Sequence, residues 1–97
     1  MIVHVVLFTF SERADAEEAR ARLLTMSGKI PGLVSVEAGL DVTRSARSYD
    51  LALITRHTSK EALDAYQTHP VHVEVATFIR ERMTGAAAVD FEAEAQS

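Results

Sequence analysis

The first ten residues of the chain are almost all apolar. The segment MIVHVVLFTF is rich in β-branched and aromatic side chains and contains no glycine or proline. This composition predicts a strand over residues 2–10. Its two predicted faces are Ile2, His4, Val6, Phe8 and Phe10 on one side and Val3, Val5, Leu7 and Thr9 on the other. Because both faces are apolar, both are expected to be covered.

A helical pattern follows between Asp15 and Gly28. The apolar positions recur with the three- and four-residue spacing of an amphipathic helix: Ala16, Ala19, Leu23 and Met26. Asp15 and Glu18 have the spacing of a capping box, and Gly28 is a natural helix stop. The sequence therefore predicts that this helix begins near Asp15.

Two alternating segments come next. Residues 33–42 and 49–57 are predicted strands, separated by the polar loop 43–48. Gly39 lies inside the first of them, where a β-bulge or a close backbone approach is expected.

The segment after Pro70 allows two interpretations. Valines alternating with His72 and Glu74 are typical of a strand, whereas Pro70 often opens a helix. A helix over residues 71–83 is favoured because it places four apolar residues on one stripe: Val71, Val75, Phe78 and Ile79. The same geometry stacks His72 over Val75, Ala76 and Ile79, so its imidazole is expected to face inward.

The remaining elements complete one domain over residues 1–92. A short helix is predicted over residues 58–67, opened by Thr58 and Glu61 with capping-box spacing. A final strand is predicted over residues 86–92, and residues 93–97 are interpreted as a frayed tail.

The resulting order is β-α-β-β-α-α-β, an α+β, ferredoxin-like arrangement with a four-stranded antiparallel sheet. Helices cover only one face of such an open sheet. Because the other face is also apolar, we expect a second copy of the chain to cover it, which gives a homodimer joined through the sheet faces.

Composition narrows the possible functions. The chain has 97 residues and no cysteine, so disulfides and thiolate metal sites are absent. Its 14 acidic residues outnumber its 10 lysines and arginines, which argues against a nucleic-acid partner. No apolar run is long enough to span a bilayer, and the first residues lack the features of a signal peptide. A cytoplasmic protein is the expectation.

The segments HVVLFTF, IPGLVSVEAGLDV, YDLALITRHTSKEALDAYQTHPVHVEVATFIRERM and VDFE resemble the Dabb family of stress-responsive dimeric α/β-barrel proteins. The resemblance extends over residues 2–92, and its most specific part is Tyr66-x-x-His69-Pro70-x-His72. It implies a dimer whose sheets form a barrel, with a cavity between the sheet and the helices of each subunit.

One branch of that family contains plant polyketide cyclases, which close a linear polyketide by intramolecular aldol condensation. If this chain is catalytic, no cofactor is expected. The resemblance implies that His72 is a general base, that Tyr66 binds or polarises a carbonyl, and that His4 lines the site. The cyclases carry another histidine where this chain has Leu51, so a more apolar pocket is expected, with Phe78 as a further lining residue. Other relatives are stable assemblies with no known catalysis.

Each histidine also has a purely structural interpretation. His72 and His4 are equally compatible with core histidines bonded to a backbone group. His69 or Thr68 is expected to cap the helix that begins at Pro70, although His69 also remains a candidate ligand-binding residue. His57 is interpreted as a surface residue.

A metal site is disfavoured, because the spacing of His69, His72 and Glu74 does not converge. The expected ligand is an apolar, carbonyl-bearing small molecule, and the alternative is a non-catalytic stress or assembly protein.

Overall fold

Three helices pack on one face of a four-stranded antiparallel sheet in a computed structural model that describes residues 1–94. The elements in chain order are β1 (Ile2–Phe10), α1 (Arg13–Leu24), β2 (Leu33–Leu40), β3 (Leu51–His57), α2 (Lys60–Thr68), α3 (Pro70–Arg82) and β4 (Met83–Glu92). The strand order across the sheet is β2-β3-β1-β4. The predicted α+β, ferredoxin-like order is confirmed. The predicted tail lies partly outside the described residues, at 95–97.

The start of α1 differs from the prediction. The helix begins at Arg13, and Glu12 occupies the N-cap position without a side-chain hydrogen bond. The capping box predicted at Asp15 is therefore wrong, since Asp15 already lies in the first turn. Gly28 has a φ of 76° and sits in the turn that follows the helix.

The junction between α2 and α3 is built by side-chain caps. The hydroxyl of Ser59, rather than Thr58, accepts a hydrogen bond from the Ala62 amide and opens α2. His69 ends α2 and caps α3, because its Nδ1 accepts the Val71 amide at 3.1 Å. The prediction that His69 or Thr68 caps this helix is confirmed for His69.

The strand register corrects two further expectations. The irregularity in β2 lies between Leu33 and Ser35, and Gly39 pairs regularly with Ala52. A side chain at Gly39 would meet no atom within 4 Å, so neither a bulge nor a close approach occurs there. β4 begins at Met83, earlier than predicted, because residues 83–85 pair with the end of β1 across a second register shift.

The core lies between the sheet and the helices. All four apolar residues predicted for the α1 stripe are buried, as are Val75 and Ile79 of α3. They pack against inward-facing residues of the strands: Phe8, Phe10, Ala38, Leu51 and Leu53. No helix within residues 1–94 is both long enough and apolar enough to cross a membrane.

Within residues 1–94, the opposite sheet face carries no helix. Val89 and Phe91 of β4 lie on it with 57% and 48% of their surface exposed, and the register places Val5 and Ile54 beside them. The predicted uncovered apolar face is therefore present in the single chain.

Candidate functional site

A cavity of about 350 Å³ lies between the sheet and the helices. Ten of its lining residues are apolar: Val6, Phe8, Leu23, Leu53, Val75, Ala76, Ile79, Met83, Ala86 and Ala88. The four polar lining residues are His4, Gln67, His72 and Arg80. Because Arg80, Ala86 and Ala88 are exposed while Phe8 and Leu23 are buried, the cavity opens between α3 and β4.

His72 projects into this cavity from the first turn of α3. It lines the cavity together with Val75, Ala76 and Ile79, which are the residues predicted to stack beneath it. Its Nδ1–H donates to the Gln67 carbonyl at 3.1 Å, since a carbonyl oxygen only accepts. The other nitrogen, Nε2, therefore keeps a lone pair. Burial lowers the pKa of His72 below its ordinary value of 6.5, which favours the neutral ring.

His4 approaches the cavity from the sheet. Only 7% of its surface is exposed, and its Nδ1–H donates to the carboxylate of Asp90 on the neighbouring strand β4. This bond fixes the orientation of the imidazole ring. Asp90 is brought there by the sheet register, which places it directly opposite His4.

His57 is buried, and its interpretation as a surface residue is wrong. It has no exposed surface, and its Nε2 lies 2.8 Å from the Thr55 hydroxyl. Its Nδ1 has no hydrogen-bond partner among residues 1–94. Burial lowers the pKa of His57, with a smaller contribution in the same direction from His4.

Tyr66 on α2 lies at the centre of these rings. Its ring centroid is 4.4 Å from that of His72, 4.7 Å from that of His57 and 6.0 Å from that of His4. The side chain is fully buried behind the cavity wall, and its hydroxyl has no hydrogen-bond partner within residues 1–94. Burial raises the pKa of Tyr66 to about 12. The nearby Thr55 hydroxyl, which bonds to His57 Nε2 rather than to the phenol, opposes this rise weakly. The phenol therefore stays protonated at neutral pH.

The profile of the family described as the stress responsive A/B barrel domain, Dabb, matches residues 2–93. The chain belongs to the Dabb family. No functionally curated protein sequence matches it.

Solved structures share the fold of this Dabb chain along almost its whole length. A dimeric ferredoxin-like protein of unknown function from Thermobifida fusca is 27% identical, with 93% of this chain and 88% of that chain covered and a TM-score of 0.83. The protein At3g17210 of Arabidopsis thaliana is 24% identical, with 100% and 99% covered and a TM-score of 0.83. A hydroxynitrile lyase from Passiflora edulis is 12% identical, with 99% and 95% covered and a TM-score of 0.82. At 24% and 12% identity, the similarity of the last two structures to this chain shows a shared fold alone.

Three predicted ligand-binding residues of this Dabb chain lie outside the cavity. His69 is occupied as a helix cap. Leu51 is 1% exposed in the hydrophobic core, two residues along β3 from the cavity-lining Leu53. Phe78 does not line the cavity and packs against the core, with the guanidinium of Arg22 at 3.8 Å and that of Arg82 at 3.9 Å from its ring centroid.

Sequence reasoning missed several residues of the site. The sequence does carry a signal for His57 and Thr55. Residues two apart on a strand share a face, so the alternation along β3 places both on the same buried face as Leu51 and Leu53. Asp90 carried no comparable signal, since its pairing with His4 depends on the β1–β4 register. Within residues 1–94, no three histidine, aspartate or glutamate side chains are arranged to hold a metal ion.

Proposed function

We propose that this Dabb protein binds an apolar, carbonyl-bearing small molecule in the cavity and moves a proton at the carbon next to the carbonyl. The reaction class is that of a cyclase of the aldol type or a lyase, with an imidazole as the base. The proposal rests on the environment of His72, which lines a largely apolar cavity. Its Nδ1–H donates to the Gln67 carbonyl, so Nε2 is free to accept a proton.

In the proposed step, the C–H bond next to the ligand carbonyl breaks and its proton moves to Nε2 of His72. The electron pair of that bond delocalises onto the carbonyl oxygen and forms an enolate. In an aldol closure, the enolate carbon then attacks a second carbonyl of the same molecule, and the proton on His72 passes to the new alkoxide. The apolar lining favours this transfer because it keeps the imidazole neutral before the step.

Tyr66 is the proposed hydrogen-bond donor to the developing oxyanion. Its hydroxyl is protonated and lacks a partner within residues 1–94, so donation to a ligand oxygen would satisfy a group that is otherwise buried without a bond. Tyr66 lies behind His4 and His72, so the ligand oxygen has to reach between these two rings. His4, held by Asp90, is proposed to orient the ligand.

The test is deuterium exchange into 2-octanone in deuterated water, followed by proton NMR. We expect a saturable exchange rate at the carbons next to the carbonyl and a loss of about 10²-fold or more in His72→Ala. The rate should be constant near neutral pH and fall as the pH drops below 6.5 through the lowered pKa of His72, because protonation removes the base.

The matched control is His69→Asn, which removes an imidazole three positions away while keeping a good helix cap. It should retain the exchange rate. Absence of saturable exchange, or equal rates in wild type and His72→Ala, would contradict the catalytic proposal and favour the second candidate function.

The second candidate is a non-catalytic assembly protein, and the observation that favours it is the exposed apolar sheet face around Val89 and Phe91. We infer that a second copy of the chain covers this face, as a homodimer; the related protein from Thermobifida fusca is described as dimeric. Sedimentation equilibrium should give the mass of two chains for wild type and of one chain for Val89→Glu.

Val73→Glu is the matched control for this inference, because Val73 is a similarly exposed valine on α3, away from the sheet face. It should remain dimeric. A monomeric wild type, or a dimer undisturbed by Val89→Glu, would refute the inferred interface.

A further inference from the structure

One cationic side chain stands at the opening of an otherwise largely apolar cavity. Arg80 lies on α3, is exposed, and lines the cavity together with His72, Ala86 and Ala88. Among residues 1–94, no aspartate or glutamate lines the cavity. A bound anion at this position would therefore meet one positive charge and no carboxylate of the lining.

Arg80 differs from the neighbouring arginine on the same helix. Arg82 lies against the Phe78 ring, and its guanidinium is within 4.0 Å of Asp15 and 3.5 Å of Glu81. The side chain of Arg80 makes no hydrogen bond or salt bridge with any residue in 1–94. Its five N–H donors are available to a molecule in the cavity.

We propose that Arg80 anchors a carboxylate, so that the ligand of this cavity is an apolar acid with its hydrocarbon part inside and its carboxylate at the opening between α3 and β4. The proposal rests on the proposed small-molecule-binding function and specifies its ligand class. A guanidinium presents paired donors that match the two oxygens of a carboxylate. The apolar lining supplies the rest of the affinity through burial of the hydrocarbon chain.

The position of Arg80 also links ligand charge to the proposed base. Burial lowers the pKa of His72, and the positive charge of Arg80 adds a smaller contribution in the same direction. A carboxylate bound to Arg80 would offset that contribution and make His72 a stronger proton acceptor when the acid is in place. An uncharged ligand of the same length would leave the field of Arg80 unchanged.

The test compares octanoate with 1-octanol by NMR titration of the ¹⁵N-labelled full chain at neutral pH. The measured quantity is the ratio of the two dissociation constants. In wild type, octanoate is expected to bind about five- to ten-fold more tightly than 1-octanol, and added salt should reduce only the octanoate affinity. Arg80→Gln should bring the ratio close to one, while Arg82→Gln should keep the wild-type ratio.

The outcomes separate the two proposals. Equal binding of octanoate and 1-octanol in wild type, or an unchanged ratio in Arg80→Gln, would overturn the carboxylate anchor and leave the apolar cavity as a binding site. Failure of both probes to shift the cavity-lining amides would overturn the small-molecule-binding function together with the anchor. The same spectra report whether each variant is folded, so a loss of affinity cannot be confused with a loss of structure.

Discussion

The two ends of the sheet–helix interface have opposite chemistry, although the same strands build both. At one end of β1, Phe8 and Phe10 pack with Leu51 and other apolar residues of the core. At the other end, His4 faces Thr55 across the sheet and lies near His57 and Tyr66. We refer to these as the apolar end and the polar end of the interface.

The apolar end follows the ordinary rules of a small core, whereas the polar end does not. His57 Nδ1 and the Tyr66 hydroxyl are buried without a partner among residues 1–94. Leaving such a group unbonded costs about 1–3 kcal/mol. The comparison indicates that one end of β1 contributes mainly to folding stability and the other end mainly to the candidate site. Substitutions at the apolar end of residues that do not line the cavity, such as Leu51, should mainly change the free energy of unfolding. Substitutions at the polar end should mainly change ligand chemistry.

Leu51→Ala should give the largest change in stability. Leu51 is almost completely buried in the core, so its truncation is expected to lower the free energy of unfolding by about 2–5 kcal/mol. Urea denaturation followed by circular dichroism, at fixed protein concentration, measures this change.

The same variant tests whether Leu51 belongs to the site. Leu51 does not line the cavity. The octanoate dissociation constant of the folded fraction should therefore change by less than about two-fold, the size of effect expected from a residue that does not contact the ligand. A large change in affinity with little loss of stability would place Leu51 in the binding site after all, as the family resemblance implies.

Much of the fold could be predicted from the sequence because it depends on local periodicity. The inward orientation of His72 followed from its spacing to Val75, Ala76 and Ile79, and the strand assignment of β1 followed from its composition. Such patterns fix which face of an element is buried.

The rest of the site could not be predicted from local patterns. The pairing of Asp90 with His4 depends on residues 86 positions apart in the chain, and the sequence carries no signal for that register. The apolar stripe of α3 predicts Phe78 in the pocket, but its ring packs at the edge of the core against Arg22 and Arg82 and does not line the cavity. The position of His57 at the end of a strand predicts a surface residue, but His57 shares the buried sheet face with Thr55 and bonds to it.

Tyr66→Phe should give a small change in stability and a clear change in chemistry. The hydroxyl is buried without a partner within residues 1–94, so its removal should leave the free energy of unfolding unchanged or raise it by up to about 1 kcal/mol. The exchange rate of 2-octanone should fall by about 10²-fold, the scale of losing one oxyanion donor.

Tyr49→Phe, at a tyrosine that is 38% exposed outside the cavity lining, is the control and should change neither quantity. Destabilisation of Tyr66→Phe by more than about 1 kcal/mol would mean that the hydroxyl is bonded in the folded protein. An unchanged exchange rate would remove Tyr66 from the proposed step and leave His72 to act with a different donor.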